Sequence, residues 1–433
     1  MSRKQPKKLL VLGARQMQLP AIATAREMGL TTIAIDPVPN AVGLTLADYS
    51  YCCDLGDEIS ILYLAKQHDI DGILTLAADY PVPMVAKVCQ KLGLPGLSNR
   101  AAMVSTDKAR MRKALQAKNV AIPQWRDVRS LTQAITSVRE FDGAVIIKPA
   151  DSSGGRGVTL ISHDASEIVI SQAFYKALNF SQQGRVMIEQ FISGKEISVE
   201  AITVDGKTTI VQMTDKVTTE APFFVEIGHS QPTQLSAWEK ERVAQLTIAG
   251  IAALRIDRAA SHTEIRFKGD RPYLIEIGAR LGGGYIASHL VPLSCGVDLV
   301  KATIQLAIGE PPDLQPTKNY GSAIRFLRPH SGRVAEVRGV AAAKKVPGVT
   351  EIAIEVGKGK LINPLQNATD RVGHVISYGK NAIAAIQNAE TAQNLIAIDI
   401  QASKSSGRST SDIEHLTLTS EPANVSSAKE RVS

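Results

Sequence analysis

Short apolar runs alternate with longer amphipathic stretches through the first hundred residues of the chain. KLLVLGA, MQLPAIATAREMGL and TTIAIDP predict a strand, a helix and a strand, and YCCDL, ISILYLAKQHDI, DGILTLA and PVPMVAKVCQKLGL continue the alternation. This order is typical of parallel sheets whose helical crossovers are right-handed. Residues 1 to about 100 are therefore predicted to form a Rossmann-like α/β unit.

The first turn of this unit consists of Gly13, Ala14, Arg15 and Gln16. It lacks the GxGxxG spacing that lets a dinucleotide pyrophosphate approach the N-terminus of a helix. A nicotinamide-dependent dehydrogenase is therefore disfavoured, and the unit is interpreted as a scaffold.

The pattern changes near Ser105. STDKARMRKALQAKNV predicts a helix with Ser105 or Thr106 as its N-cap. GAVIIKPA, GVTLIS, GRVMIEQFI, EISVEAITV and TTIVQMTDKV predict strands, with VDGK as a two-residue hairpin turn. TQLSAWEKERVAQLTIAGIAALRI predicts a long helix before two more strands, ASHTEIRF and PYLIEIGAR. The middle of the chain is therefore predicted to be α+β.

The last third of the chain divides into two parts. Residues 318–401 alternate short strands and turns before the helical NAIAAIQNAETAQNL, which predicts a small α+β subdomain. From Ala402 the chain is rich in Ser, Thr, Lys and Glu, with too few large apolar residues to offset the entropy of ordering. Residues 402–433 are predicted to be a disordered tail.

The composition of the 433 residues narrows the classes of function. The net charge of +7 is spread along the chain and aromatic residues make up only 4%, so neither nucleic acid nor a membrane is expected as a partner. The chain has no run of 18 apolar residues, and its four cysteines have no CxxC spacing. We expect a soluble, cytoplasmic protein with reduced thiols.

KPADSSGGRGV combines a lysine with three glycines directly after an apolar strand. Lys148 ends that strand, where a lone charge on an apolar surface is costly unless it meets an anion. The glycines from Gly154 to Gly157 allow backbone N–H groups to converge on phosphate oxygens. Lys108 is a second candidate cation. The alternatives are a turn between strands and a lysine on a helix surface.

Five further positions have the chemistry to bind a nucleotide and a metal. Glu189, Ile192 and Glu196 fit one ligand, because a linker backbone can pair with an adenine edge and a carboxylate can accept two ribose hydroxyls. A hairpin with exposed acids is the alternative. Glu264 and Glu276 lie on consecutive strands and can point to the same face. Two carboxylate charges ~4 Å apart repel each other by about 4 kcal/mol. A magnesium ion that bridges carboxylates and phosphates would turn this repulsion into attraction.

Arg280, four residues after Glu276, suits a negative charge that develops on a transferring phosphoryl or tetrahedral centre. Together, these residues in this order resemble the ATP-grasp superfamily of carboxylate–amine ligases over residues 1 to about 400. EIGARLGGGYIASHLVPLSCGVDL and DRVGHVI are most similar to the branch containing biotin-carboxylase-like enzymes and L-amino acid ligases. A homodimer is common in that branch.

The resemblance implies a fold and a role for each matching residue. The implied domains are a pre-ATP-grasp domain at 1–104, an ATP-grasp domain at 105–317 with a nucleotide-binding lid at about 123–195, and a C-terminal ligase subdomain at 318–401. By this resemblance, Lys108 and Lys148 bind the phosphates of ATP, and Ser153, Gly154, Gly155 and Gly157 form a mobile loop over them. Glu189 and Ile192 contact adenine, and Glu196 binds the ribose. Glu264 and Glu276 bind Mg²⁺ or Mn²⁺, and Arg280 stabilises the acyl-phosphate transition state.

VEIGHSQP resembles the segment that holds a substrate in the amino acid ligases. The resemblance implies that Glu226 binds the amino group and that His229 lies at the reaction centre, with a loop histidine bonded to backbone as the alternative. The chain departs from the superfamily at Gly278, where many members have an asparagine. The side-chain oxygen of that asparagine is absent here, so a second magnesium ion is expected to be held differently or more weakly.

The reaction that the resemblance implies is amide formation between a small-molecule carboxylate and an amine. The γ-phosphoryl group of ATP passes to the carboxylate, and the amine attacks the resulting acyl phosphate. An amino acid is the expected substrate, and ADP and phosphate are the expected products. The alternatives are a formate- or bicarbonate-activating enzyme that acts on a phosphorylated metabolite, and an ATP-binding module without turnover.

Overall fold

The computed structural model describes residues 5–152 and 154–401. Residues up to Ile400 form one compact unit. Ser153 and the predicted disordered tail at 402–433 lie outside the described residues.

A parallel sheet forms the N-terminal part of the fold. Its elements are β1 (Lys8–Leu12), α1 (Leu19–Glu27), β2 (Thr31–Ile35), β3 (Tyr49–Tyr51), α2 (Glu58–His68), β4 (Gly72–Leu74) and α3 (Val82–Leu92). The strand order is β3-β2-β1-β4 and every pairing is parallel. Leu9 and Val11 are buried in one hydrophobic cluster and Leu10 and Leu12 in another, so both faces of β1 are covered. The predicted α/β unit is confirmed.

Two helices, rather than one, follow this sheet: α4 (Asn99–Thr106) and α5 (Lys108–Gln116). The expectation that Ser105 or Thr106 caps the second helix is wrong, because both residues belong to the last turn of α4. The N-cap is Asp107, whose carboxylate accepts a hydrogen bond from the Arg110 N–H at 2.9 Å. Lys108 therefore stands at the first position of α5.

A four-stranded antiparallel sheet comes next, and it is called the lid sheet below. Its elements are β5 (Trp125–Val128), α6 (Leu131–Arg139), β6 (Val145–Pro149), β7 (Thr159–Ile161), α7 (Glu167–Leu178) and β8 (Val186–Gln190). The strand order is β5-β8-β6-β7. Phe141 and Phe174 are buried in a hydrophobic cluster of this region, which holds α6 and α7 against the sheet.

An eight-stranded antiparallel sheet, called the large sheet below, spans the rest of the fold together with a small three-stranded sheet. The strands are β9 (Glu196–Val204), β10 (Lys207–Thr218), β11 (Glu226–Gln231), β12 (Ala259–Lys268), β13 (Arg271–Gly278), β14 (Gly321–Phe326), β15 (Gly332–Arg338), β16 (Val349–Ile354), β17 (Leu361–Ile362), β18 (Gly373–Gly379) and β19 (Ala397–Ile400). The large sheet has the order β13-β12-β9-β10-β11-β14-β18-β16, and the small sheet has the order β17-β15-β19.

The helices of this part are α8 (Ala237–Leu254), α9 (Val291–Ser294), α10 (Leu299–Ala307), α11 (Val340–Ala343) and α12 (Ala382–Leu395). Helix α8 packs closely on β13 at Gly250, where the lack of a side chain leaves room for Leu274. A Cβ atom at Gly250 would lie 2.4 Å from the Leu274 side chain. The predicted VDGK turn joins β9 and β10, and both central residues, Asp205 and Gly206, have the positive φ of a type I′ turn.

The large sheet crosses the predicted boundary between residues 317 and 318. Strand β14 pairs with β11 through Gly228↔Arg325 and Gln231↔Ser322, and β18 and β16 extend the sheet further. The C-terminal strands therefore share backbone hydrogen bonds with strands of the predicted ATP-grasp region. The domain limits themselves stay a prediction.

Among the described residues, no single helix has both the length and the apolar character needed to cross a membrane. One bent pair of helical stretches, Ile286–Ser294 and Leu299–Ala307, meets the criterion of length and composition when the two are taken together, with an angle of 120° between them.

Asp107 provides a test of the helix boundary. Its carboxylate caps α5 and also accepts a 2.9 Å hydrogen bond from Arg185, with both side chains largely buried. We expect Asp107→Ala to lower the free energy of unfolding by at least ~2 kcal/mol, because it removes a cap and a buried ion pair. Asp107→Asn keeps the capping oxygen and should lose less. Equal losses in the two variants, measured by denaturant unfolding, would contradict the capping role.

Candidate functional site

A cavity of about 280 Å³ is lined by residues of both the lid sheet and the large sheet. The predicted site residues that line it are Lys108, Lys148, Gly154, Gly155, Glu189, Ile192, Glu196, Glu226, Glu264, Glu276 and Arg280. Gly157 and His229 are described but do not line the cavity, and Ser153 lies outside the described residues. The structure thus brings together eleven residues from segments that are distant in sequence.

Lys148 and Glu189 form a buried ion pair on neighbouring strands of the lid sheet. Their nearest side-chain atoms are 2.6 Å apart, and the Arg112 guanidinium lies 2.9 Å from the same carboxylate. Burial opposes ionisation of Glu189, but Arg112 and Lys148 outweigh it and lower the pKa of Glu189 to about 2. Burial also lowers the pKa of the Lys148 ammonium. The Glu189 carboxylate therefore faces these two cations, and Ile192, on the segment after β8, is buried.

Lys108 projects from the first turn of α5 into the other side of the cavity. Its ammonium donates 2.8 Å hydrogen bonds to the Glu276 carboxylate and to the Ser152 carbonyl. Burial opposes the charge on Lys108, but Glu276 and Asp79 outweigh it and raise the pKa of this lysine. Both predicted phosphate-binding lysines are therefore held by carboxylates of the cavity wall.

Glu264 and Glu276 are direct neighbours across the β12–β13 pair, and both line the cavity. Burial acts to raise the pKa of Glu264, but Lys216 and His262 lower it well below its ordinary value, so this carboxylate is ionised at neutral pH. Two adjacent glutamates that offer only oxygen atoms are the donor set that Mg²⁺ and Mn²⁺ accept. The side chains present at this position fit the predicted metal.

Lys216 on β10 holds three carboxylates at once. Its ammonium is 2.9 Å from Glu196, 2.6 Å from Glu226 and 2.7 Å from Glu264, and its side chain is 1% exposed. Oxygens of these three glutamates lie within 4.8 Å of one another, the spacing of a cation site. Burial opposes the charge of Lys216, but the glutamates raise its pKa well above the ordinary value. Lys216 is the cation that balances this group.

The predicted ribose residue Glu196 also pairs with Arg266, at 2.9 Å. The Arg266 guanidinium lies 5.3 Å from the ring centre of Phe191 and 5.6 Å from that of Phe224, and it donates a 2.9 Å hydrogen bond to the Ile192 carbonyl. These two aromatic rings and Arg266 form the cavity wall next to the predicted adenine hinge.

Arg280 follows β13 and forms a two-point ion pair with Asp79, at 2.8 and 3.0 Å. Asp79 comes from the N-terminal part of the chain, after β4. Burial opposes the charge of Arg280, but Asp79 and Glu276 raise its pKa above the ordinary value. A Cβ atom at Gly278 would lie 3.0 Å from the Arg280 guanidinium carbon, so Arg280 lies over the backbone where many superfamily members have asparagine.

His229 lies behind Glu226 on β11. It is fully buried, its Nε2 is 3.7 Å from a Glu226 oxygen, and neither ring nitrogen has a hydrogen-bond partner among the described residues. Burial lowers the pKa of His229 to about 3, so the imidazole is neutral. Because His229 belongs to a strand and its ring makes no hydrogen bond to the described backbone, the alternative of a loop histidine bonded to backbone is wrong. Arg371 donates 2.8 and 3.1 Å hydrogen bonds to the Glu226 carbonyl and carboxylate.

The sequence analysis did not identify five residues that line the cavity, Asp79, Lys216, His262, Arg266 and Arg371. It also did not identify Arg112, which pairs with the cavity residue Glu189. Lys216 had a local signal, since it is a lone lysine in a predicted strand, but MTDKV reads equally well as a solvated edge. Arg371 lies in DRVGHVI, a stretch whose resemblance to the amino acid ligase branch implies no role for any single residue. The position of Asp79 has a weaker signal, an acid that follows a parallel strand.

Comparisons with known proteins agree with this geometry. Residues 141–288 match the ATP-grasp domain, and residues 325–401 match the L-amino acid ligase C-terminal domain 2. The chain is 28% identical over 326 residues to an uncharacterised protein of Sinorhizobium fredii, covering 74% of this chain and 66% of that protein. It is 27% identical over 275 residues to the alanine–anticapsin ligase of Bacillus subtilis, covering 59% of this chain and 57% of that protein.

The crystal structure of an L-amino acid ligase from Bacillus licheniformis shares the fold. It has a TM-score of 0.79 and 19% sequence identity, covering 92% of this chain and 100% of that chain. The matched region spans 57–66% of the length of the two sequence relatives. The chain therefore contains an ATP-grasp domain followed by an L-amino acid ligase C-terminal domain. These two matches, together with a relative among the amino acid ligases, confirm the resemblance found in the sequence.

The Glu189 ion pairs predict a pH dependence of stability. The pKa of Glu189 falls from an ordinary value of 4.5 to about 2 on folding, so its stabilising contribution is complete above pH 4.5 and is lost as the pH falls through about 2. We expect Glu189→Gln to lower the free energy of unfolding at pH 7 and to flatten its decline below pH 4.5. Denaturant unfolding from pH 7 to pH 2 measures both effects. The exposed control Glu241→Gln should follow the wild-type profile, and a Glu189→Gln curve parallel to wild type would contradict the prediction.

Proposed function

We propose that this chain is an ATP- and Mg²⁺-dependent ligase that joins a carboxylate to an amine through an acyl phosphate and releases ADP and phosphate. The observation that carries the proposal is the convergence in one cavity of Lys108, Lys148, the Glu264–Glu276 pair and Arg280. The ATP-grasp and L-amino acid ligase domain matches support it.

Lys148 and Lys108 are proposed to bind the phosphates of ATP. Both ammonium groups are buried beside carboxylates, so phosphate oxygens would compete with these carboxylates for lysines that the protein already orients. The glycine loop adds backbone donors, since Gly154, Gly155 and Gly157 have φ values of 70°, 74° and 73° that other residues rarely adopt. Closure of this loop would exclude water from the acyl phosphate.

Glu264 and Glu276 are proposed to hold the metal, with Mg²⁺ preferred and Mn²⁺ as a substitute. A divalent ion bound there supplies charge neutralisation to the phosphate oxygens during transfer. The two carboxylates are oriented by lysines before any metal binds: Lys216 contacts Glu264 and Lys108 contacts Glu276.

Arg280 is proposed to stabilise the transferring group. A substrate carboxylate oxygen forms a bond to the γ-phosphorus while the bond from that phosphorus to the ADP oxygen breaks, so negative charge accumulates next to the guanidinium. The hydrogen bonds to Asp79 and Leu281 use three of the five N–H donors of Arg280. Asp79 fixes the direction of the remaining donors.

Glu226 and His229 are proposed to act on the amine. The Glu226 carboxylate accepts a hydrogen bond from the amino group, and the neutral His229 ring packs behind that carboxylate, with its Nε2 3.7 Å from a Glu226 oxygen. The proton that the nitrogen loses when it attacks the acyl carbon leaves with the departing phosphate. An amino acid is the proposed substrate class, supported by the alanine–anticapsin ligase relative. Its partners are accordingly small molecules.

Hydroxylamine intercepts acyl phosphates and therefore tests the proposed reaction without knowledge of the natural amine. With ATP and Mg²⁺, we expect hydroxamate from one or more amino acids and a matching release of ADP. Formate and bicarbonate are run in parallel with ADP release as their readout, and a response to them alone would select the one-carbon alternative. Tight ATP binding without ADP from any acid would contradict turnover.

Variants of the site test the assigned roles. We expect Glu276→Gln and Arg280→Ala each to lower the hydroxamate rate by about 10²–10³, because each removes a preorganised charge from the transferring group. The surface variant Arg242→Ala, which disrupts an exposed pair with Asp270, is the control and should retain the wild-type rate. Wild-type ADP production by a folded Glu276→Gln or Arg280→Ala variant would overturn the assignment.

A further inference from the structure

Glu200 is a buried carboxylate that the proposed reaction does not use. It lies on β9 and is 0% exposed. Its Oε1 contacts Nδ1 of His262, which is its register partner on β12, and its Oε2 accepts the backbone N–H of Gly282 at 3.1 Å. Burial of a carboxylate lowers the stability of the fold unless its oxygens are paired. The contacts with His262 and Gly282 offset this penalty for Glu200.

His262 connects this buried carboxylate to the cavity. The residue is 7% exposed and lines the cavity wall. Its Nδ1 faces Glu200, and its Nε2 lies 3.6 Å from Oε1 of Glu264, one of the two proposed metal ligands. Glu200, His262 and Glu264 thus form a continuous row of side chains from the interior of the sheet to the metal position.

Gly282 ties the loop after Arg280 to the same pair. A Cβ atom at this position would lie 2.6 Å from His262 Nδ1 and 2.8 Å from Glu200 Oε1. The backbone of the loop therefore packs directly against Glu200 and His262, with no room for a side chain at Gly282, and the Gly282 N–H donates a hydrogen bond to Glu200. One buried unit contacts both a proposed metal ligand and the loop that carries the proposed transition-state arginine.

We propose that Glu200 and His262 are positioning residues that fix the Glu264 carboxylate for a divalent metal–nucleotide complex and fix the Arg280 loop against it. The inference rests on the proposed function, since it assigns a task to residues around the same metal. Residues that orient metal ligands typically change metal affinity by about 10–100-fold when they are removed.

The two ring nitrogens of His262 can be separated by substitution. Asparagine places its amide near Nδ1 and retains the contact with Glu200, whereas glutamine places its amide near Nε2 and retains the contact with Glu264. His262→Asn therefore leaves the buried carboxylate paired and removes only the link to the metal position. This variant separates positioning from stability, even where Glu200→Gln fails to fold.

The test is ADP binding by calorimetry with and without Mn²⁺, together with the amount of Mn²⁺ bound, measured by electron paramagnetic resonance. We expect His262→Asn to weaken Mn²⁺ binding in the presence of ADP by about 10–100-fold and to leave metal-free ADP binding unchanged. His262→Gln should recover part of the loss. The control is Thr263→Val, an isosteric change at a buried neighbour on the same strand whose hydroxyl has no hydrogen-bond partner among the described residues.

Two outcomes would overturn the proposal, and they can be told apart. Wild-type Mn²⁺ binding by folded His262→Asn, or an equal loss in Thr263→Val, would refute the positioning role and leave the proposed ligase function intact. Binding of ADP by the wild-type chain that does not respond to Mn²⁺ at all would refute the metal assignment and, with it, the inference that depends on it.

Discussion

The buried cations of this cavity determine which carboxylates the fold can tolerate. Lys148, Lys108, Lys216 and Arg280 each lie against at least one glutamate or aspartate, and every one of these contacts joins different strands or segments. An unpaired charge at such depth would cost several kcal/mol, so the pairs act as constraints on the packing of the sheets as well as on chemistry.

The geometry of the strands places these charges where they meet. Glu264 and Glu276 face each other because β12 and β13 are hairpin neighbours, and His229 is adjacent to Lys216 because β11 pairs with β10. The lid sheet contributes Lys148 and Glu189 from neighbouring strands in the same way. Long-range backbone pairing, more than any local motif, therefore assembles the site.

Much of this arrangement could be predicted from the sequence, and the exceptions have physical causes. Lys148, Glu276 and Arg280 could be identified because their local apolar context is unusual and because their order along the chain resembles a known superfamily. Asp79 could not, because its importance depends on a partner two hundred residues away, and no local pattern reports that distance. The error at Ser105 and Thr106 arose because two helices meet there with only Asp107 between them, so that several good capping residues compete within three positions.

The continuity of the large sheet limits how this chain can be recombined with its relatives. Four backbone-paired positions join β11 to β14, and β11 carries Glu226 and His229. A chimera joined between residues 317 and 318 would make β11 of one parent form hydrogen bonds with β14 of the other, and it would separate Glu226 from its native Arg371. The C-terminal segment is therefore not an interchangeable specificity module, and a graft intended to transfer substrate preference has to carry β11 together with β14.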